Sequence, residues 1–109
     1  MDIETQVTDK GCVIGINDRL DAMTAPELEG AVEQVLTDGQ TRLIMDLTRL
    51  DYISSAGLRV FLIAAKKLKA LKGELILAGM NAATSEVIRI SGFHSIMPCY
   101  DTVDEVPGA

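Results

Sequence analysis

The sequence predicts an α/β protein in which a mixed β-sheet is flanked by helices, with elements in the order β-β-α-β-α-β-α-β-α. Two continuous apolar runs, "RLIMDL" at 42–47 and "ELILAG" at 74–79, are typical of parallel strands that are covered on both faces. Amphipathic segments with helical periodicity separate the runs. A chain of 109 residues with 48% hydrophobic content suits one compact domain over residues 1–109.

The first elements are predicted from turn and cap residues. "IETQVT" and "CVIGIN" are β-prone runs separated by Asp9-Lys10-Gly11, a sequence that favours a tight hairpin turn. Thr24 and Glu27 have the spacing of a capping box, and Pro26 and Gly39 suit the two ends of a first helix. The core face of that helix is expected to carry Leu28, Val32, Val35 and Leu36.

In the second half of the chain, the sequence predicts helices and one edge strand. The spacing predicts a single helix over residues 55–72 that ends at Gly73. Asn81 is expected to cap a third helix that ends at Gly92, Pro98 indicates a short edge strand in "SIMPCY", and Asp101 with Asp104 suits the start of a last helix. The core face of the 55–72 helix is predicted to carry Leu58, Phe61, Leu62, Ala65 and Leu68.

Composition argues against several classes of partner. The formal charge of −6 disfavours nucleic acid and anionic lipid surfaces. Apolar stretches such as "VFLIAA" soon meet charged residues and "MDIETQ" is unlike a signal peptide, so a cytoplasmic protein without membrane insertion is expected. Cys12 and Cys99 belong to no metal-binding or disulfide pattern and are expected to be buried or inert.

Two adjacent serines, Ser54 and Ser55, stand where a strand gives way to a helix. One serine can cap a helix N-terminus, and no capping box is present because Gly57 and Leu58 stand three residues later. If Ser54 is the cap, Ser55 is surplus at the first helical position, beside the positive end of the helix dipole. The small neighbours Ala56 and Gly57 leave room for an approaching partner, so the position suits a phosphate.

These residues resemble those of a known family. "LIMDLTRLDYISSAGLRVFLIAAKKLKALKGELILAGM" is similar to the central segment of STAS domains, specifically of bacterial anti-sigma factor antagonists, and "RLDAMTAPEL" and "VIRISGFHSIMPCYDTVDE" extend the resemblance over nearly the whole chain. In that family, the serine before the small residue and Gly-Leu is phosphorylated by the partner anti-sigma factor. Two residues depart from the family pattern, because Ser54 replaces a common Asp and Asp18 a frequent Gly.

The resemblance implies a phosphorylation-controlled binding module that sequesters an anti-sigma factor and so frees a sigma factor for transcription. It implies a serine kinase and a serine phosphatase as partners, no cofactor and no catalytic residue. Ser55 is the implied phosphoacceptor, with Ser54 as second choice. The implied partner-binding residues are Asp21, Ser54, Ser55, Ala56, Gly57 and Arg59.

The residues also bear on other functions. "ISSAG" lacks the first glycine of a hydrolase nucleophile elbow, His94 is the only histidine, and no phosphate-binding glycine loop occurs. Asp18, Asp21 and Asp46 could be imagined as a metal cluster, but solvated acidic residues or caps are the ordinary interpretation. A rival function remains open: a STAS structural or regulatory subunit of a lipid-transport or stressosome complex, in which Ser55 only caps its helix.

Overall fold

The structure, a computed structural model, describes residues 3–108, and within them the chain forms seven strands and three α-helices. In chain order these are β1 (Ile3–Thr8), β2 (Gly11–Ile16), β3 (Asp18–Leu20), α1 (Ala25–Thr37), β4 (Arg42–Asp46), β5 (Leu50–Ile53), α2 (Ser55–Ala70), β6 (Glu74–Ala78), α3 (Ala82–Ser91) and β7 (Cys99–Tyr100).

The main sheet has the strand order β1-β2-β4-β6-β7. β1 and β2 form the predicted antiparallel hairpin, with Thr8 opposite Gly11 across the Asp9-Lys10 turn. All other neighbours in this sheet are parallel, and β7 lies at the edge. The prediction of a mixed α/β sheet with a parallel centre is therefore confirmed, as is the edge position of the strand that follows Pro98.

The predicted order of elements leaves out two short strands. β3 and β5 pair in parallel as a separate two-stranded sheet. β3 begins at Asp18, whose φ of 72° lies in the left-handed region that glycine adopts most easily, and its amide donates to the carbonyl of Arg49 at 2.9 Å. The predicted last helix is also wrong in kind: Val103–Glu105 is one turn of 3₁₀ helix, capped by the Thr102 side chain rather than by an aspartate.

All three helices contribute to one core cluster on one face of the sheet. Leu28, Val32 and Val35 of α1 are buried as predicted. The buried face of α2 is rotated from the predicted one, since Leu58, Leu62 and Ala65 are only partly buried. The α2 residues that are fully buried are Gly57, Val60, Phe61, Ala64 and Leu68.

The opposite face of the sheet is covered by the C-terminal segment. Val106 packs in a small cluster with Ile44, Ile76 and Ala78. Two basic side chains hold the segment through backbone carbonyls: Lys10 Nζ donates to Val103 and Asp104, and an Arg42 guanidinium nitrogen donates to Pro107 at 2.7 Å. The strand "RLIMDL" is therefore buried on both faces, as its continuous apolar character predicts.

The helix boundaries differ from the predictions at two places. Thr24 precedes α1, but its side chain makes no capping hydrogen bond, so the predicted capping box with Glu27 is wrong. Helix α2 ends at Ala70 instead of residue 72, because Lys72, with a φ of 62°, is the left-handed residue that ends it. Gly73 is required for a different reason: a Cβ there would lie 1.8 Å from the carbonyl oxygen of Thr41.

Within residues 3–108, no helix has the length and apolar character needed to cross a membrane. Cys12 is buried, whereas Cys99 is exposed on the edge strand, so of the two expected alternatives, buried or inert, only the second can apply to Cys99. Partial burial of its sulfur nevertheless raises the pKa of the Cys99 thiol, which makes the thiolate less available at neutral pH.

Candidate functional site

The two short strands β3 and β5 bring the serine pair beside the loop that contains Asp21. Leu20 pairs with Ile53, and the amide of Ser54 donates to the carbonyl of Leu20 at 2.9 Å. Parallel strands end at the same edge, so the residues that follow them, Asp21 and Ser54, leave the small sheet side by side. The closeness of Asp21 to the serines is thus a direct result of a strand pairing that the sequence did not reveal.

Ser54 occupies the N-cap position of α2. Its backbone is extended (φ −99°, ψ 176°), and its carbonyl accepts from the amide of Leu58 at 3.0 Å. Its side chain makes no capping hydrogen bond, and its hydroxyl oxygen is buried without a partner among the described residues. Ser54 therefore occupies the N-cap position, but its hydroxyl does not cap the helix.

Ser55 is the first residue of α2 and is exposed. The unpaired backbone amides of the first helical turn lie beside it, together with the positive end of the helix dipole. Arg59, one turn further along α2, is also exposed, whereas Ala56 is half-buried and packs against the core. A group attached to the Ser55 hydroxyl would therefore stand in solvent next to amide donors and a guanidinium side chain.

Gly57 is buried and does not form part of the exposed surface. A Cβ at this position would lie 2.7 Å from Leu20 Cγ and 2.9 Å from Ile53 Cγ1, which is closer than packed carbon atoms approach. The glycine thus lets α2 lie directly against β3 and β5. The space that the sequence assigns to an approaching partner is filled by the protein's own side chains.

Asp21 organises the loop before α1. Its carboxylate accepts hydrogen bonds from the amides of Met23 (3.0 Å) and Thr24 (3.2 Å), and Arg19 Nε donates to it at 3.2 Å. These donors, with Arg19 first, hold the pKa of Asp21 below its usual value. The carboxylate therefore supports this loop above the ordinary pKa of aspartate, and its contribution is lost as the pH falls toward the lowered value.

Thr24 completes the loop from the other side. Its hydroxyl accepts from the amide of Asp21 at 2.9 Å and donates to the carbonyl of Arg19 at 3.1 Å. The Thr24 side chain is thus used within the loop, which explains why it is not available to cap α1.

Three exposed residues that the sequence analysis did not single out surround this loop. Met23 is 88% exposed although hydrogen bonds fix the backbone on both sides of it. Tyr52 is 45% exposed, and the Arg19 guanidinium lies over its ring at 4.7 Å from the centroid. The only signal in the sequence was the unusual placement of a methionine in a polar turn. We refer to Arg19, Met23, Tyr52 and Ser55 as the serine surface.

The three aspartates considered for a metal do not form a site. Within residues 3–108, no group of three or more His, Cys, Asp or Glu side chains is placed to hold a metal ion. Asp46 instead accepts hydrogen bonds from the amide (3.1 Å) and hydroxyl (2.6 Å) of Thr48, and Asp21 is used in its own loop. His94 is exposed in the 3₁₀ turn Phe93–Ser95, which follows α3 in the sequence.

The unused hydroxyl of Ser54 leads to a stability prediction. Ser54→Ala should leave the free energy of unfolding unchanged within about 0.5 kcal/mol, because no hydrogen bond is lost. Asn81→Ala is the positive control: Asn81 Oδ1 accepts from the amide of Thr84 at 2.7 Å and Nδ2 donates to the carbonyl of Leu50 at 3.2 Å, so the substitution should cost about 1–2 kcal/mol. Urea unfolding of both variants measures the difference, and an equal loss in the two would show that Ser54 is a working cap.

Fold and site together define a small α/β module whose distinctive feature is an exposed serine at the start of a helix, beside an ordered acidic loop. The chain belongs to the STAS domain family, whose sequence profile matches residues 2–106. The expected family membership is thereby confirmed.

Named relatives support this assignment. BtrV of Bordetella bronchiseptica, described as a candidate anti-sigma factor antagonist, is 44% identical over 87 residues, which is 80% of this chain and 72% of that protein. The crystal structure of an anti-sigma factor antagonist from Mycobacterium paratuberculosis has a TM-score of 0.89 at 26% identity, covering 96% of this chain and 89% of that one. SpoIIAA of Bacillus in its phosphorylated form has a TM-score of 0.75 at 24% identity, covering 95% of each chain.

Proposed function

We propose that this protein is an anti-sigma factor antagonist, a binding module of the cytoplasm whose affinity for an anti-sigma factor is controlled by phosphorylation of Ser55. The partner would be an anti-sigma factor that is itself an ATP-dependent serine kinase, and a serine phosphatase would reverse the modification. The observation that carries the proposal is the contrast between the exposed Ser55 and the buried hydroxyl of Ser54 at the same helix start. The names of the relatives support the choice of partner.

Accessibility favours Ser55 over Ser54 as the acceptor. A kinase must place the attacking hydroxyl in line with the γ-phosphoryl group of ATP. The hydroxyl oxygen must therefore be accessible at the surface of the substrate protein. The Ser54 oxygen is shielded and its backbone is held by the hydrogen bond to Leu20. Ser55 meets the requirement without any change in the fold.

A phosphate on Ser55 would be compatible with the folded domain. It would add about 1.5 to 2 negative charges near the N-terminus of a 16-residue helix, where the dipole favours an anion by about 0.3–1 kcal/mol. The switch would therefore act at the interface with the partner, where the same charge loses its water, rather than through refolding of the domain.

Phosphate mapping tests the choice of acceptor. The kinase encoded nearest to this gene, incubated with this chain and ATP, should add one phosphate that mass spectrometry assigns to Ser55. Ser54→Ala should be labelled like the parent, and Ser55→Ala should not be labelled at all. A phosphate on Ser54 in the parent chain would contradict the proposed acceptor.

Met23 should contribute to partner affinity without contributing to stability. Exposed apolar side chains on an ordered backbone are favourable anchors, because a partner that covers them restricts only the side chain and not the backbone. Met23→Ser should weaken binding of the anti-sigma factor roughly tenfold, since about 1–2 kcal/mol of apolar burial is lost. Ile90→Ser is the control, because Ile90 is similarly exposed but lies on α3. Calorimetric titration compares the affinities of the two variants for the anti-sigma factor. Equal affinities would show that Met23 lies outside the interface.

A further inference from the structure

The outer edge of β1 is open to solvent. β1 is the first strand in the order β1-β2-β4-β6-β7, so β2 covers only one of its two edges. Its middle residues Glu4, Thr5, Gln6 and Val7 are all exposed, and Val7 is 64% exposed although its side chain is apolar. A strand edge without a neighbour presents a row of unpaired backbone donors and acceptors.

The hairpin determines which peptide groups of β1 point outward. Thr8 lies opposite Gly11 across the two-residue turn, and the two residues that close such a turn exchange both backbone hydrogen bonds. Because successive residues alternate, Ile3, Thr5 and Val7 direct their N–H and C=O groups away from β2. Within residues 3–108, no backbone group outside the hairpin forms a hydrogen bond with Thr5 or Val7.

β1 lacks the features that usually prevent edge strands from pairing. Its sequence, IETQVT, contains no lysine and no proline, and its pairing with β2 runs from Ile3 to Thr8 without a bulge. Glu4 is its one charged residue. The edge is therefore a regular template for another strand.

The helix layer leaves room for that strand. Thr5 and Val7 lie opposite Ile14 and Cys12, which are buried in the core cluster beneath the helices. Cross-strand partners have their side chains on the same face of a sheet, so Thr5 and Val7 face the helix layer as well. Because both are nevertheless exposed, the helices do not extend over β1.

We propose that two copies of this chain pair antiparallel through β1, about a two-fold axis at Thr5. In this register Thr5 faces Thr5 of the second copy and Ile3 faces its Val7, so the outward backbone groups of both strands meet. The contact would cover the exposed side chain of Val7. Glu4 would lie opposite Gln6 of the second copy, whose amide can donate to the carboxylate.

The sequence of β1 is complementary to itself in this register alone. A shift of two residues in one direction would place the two Glu4 carboxylates opposite each other, which is unfavourable. A shift in the other direction would set Ile3 against the hairpin turn. The Thr5-centred pairing would join two five-stranded sheets and give one particle with two copies of the serine surface. It does not rest on the role proposed for Ser55.

Sedimentation velocity measured from about 10 µM to about 1 mM protein tests the proposal. One strand from each copy buries less area than a standard interface, so a weak dimer with a Kd on the order of 100 µM is expected. Hydrogen exchange at the amides of Thr5 and Val7 should slow as the concentration rises, whereas that of Gln6, already bonded to β2, should change little. A chain that stays monomeric at the highest concentration overturns the proposal.

Substitutions of Gln6 test the register. Gln6→Glu would place a second carboxylate opposite Glu4 and should weaken the dimer about fivefold, whereas Gln6→Lys should tighten it about fivefold. Ser85→Glu and Ser85→Lys are the matched controls, because Ser85 is exposed on α3 and the changes in net charge are the same. Both should leave the Kd within about twofold of the parent value. Equal effects at the two positions would show that net charge alone acts, which overturns the proposal.

Thr5→Pro removes the central outward N–H. An edge strand tolerates proline where the N–H faces solvent, so circular dichroism should show a folded chain. Its dimer should dissociate at least about tenfold more readily. A folded Thr5→Pro chain that dimerises like the parent would place the interface elsewhere and overturn the proposal. If this variant does not fold, the Gln6 and Ser85 variants decide.

Discussion

Phe61→Ala should lower the free energy of unfolding by about 3–5 kcal/mol, the usual cost of removing a large aromatic side chain from a packed core. Phe61 is fully buried in the middle of α2 and belongs to the main core cluster. Because small domains are stable by only about 5–15 kcal/mol, this variant should unfold at a much lower urea concentration than the parent.

Leu62→Ala is the matched control on the same helix. Leu62 is only partly buried and lines an open groove, so its truncation should cost no more than about 1.5 kcal/mol. Leu62→Asp should also leave the domain folded, since a carboxylate there can reach solvent and lies near Lys66. Equal losses for Phe61→Ala and Leu62→Ala would show that the buried face of α2 is assigned wrongly.

The period of α2 could be predicted from the sequence, but its exact orientation could not. Leu58, Leu62 and Ala65 repeat at helical spacing as well as Val60, Phe61 and Ala64 do, and both sets contain apolar residues. The choice between them depends on what the helix packs against. Gly57 settles it, because its missing side chain permits contact with Leu20 and Ile53, and this contact turns the second set toward the core.

The long strands β4 and β6 were predictable because each carries its own sequence pattern. Continuous apolar character suffices for β4 and β6, whereas β3 and β5 have three and four residues and no alternation of their own. Their pairing exists only in the folded chain. This pairing places Asp21 beside Ser54. The residues of the site could therefore be predicted from the sequence, but the strand pairing that brings them together could not.

Asn81 caps α3 as predicted, but the cap assignments at Thr24 and Ser54 failed for a related reason. Thr24 and Ser54 are both preferred N-cap residues, and both precede a helix as predicted. The hydroxyl of Thr24 is used instead by the Asp21 loop, and that of Ser54 is buried without a partner. Local propensity predicts where helices begin, but tertiary contacts decide which atoms their caps use.

Ser55 variants should separate a phosphorylation switch from a simple helix cap. Phosphorylated chain should bind the anti-sigma factor about a thousandfold more weakly than the unmodified chain, because leaving a dianion without its water at the interface costs roughly 4 kcal/mol. Ser55→Ala should keep parental affinity and stability, since the exposed hydroxyl makes no hydrogen bond within residues 3–108. Ser55→Asp should weaken binding less than phosphate does, because it brings one charge and a shorter reach.

The cap interpretation predicts the opposite pattern on the same variants. If Ser55 stabilises the helix, Ser55→Ala should lose about 1 kcal/mol of unfolding free energy, and Ser55→Asp should be tolerated in both stability and binding. Urea unfolding and calorimetric titration of the two variants, with the phosphorylated chain in parallel, distinguish the two. Undiminished affinity of the phosphorylated chain would rule out the switch and leave the STAS fold as a constitutive binding domain.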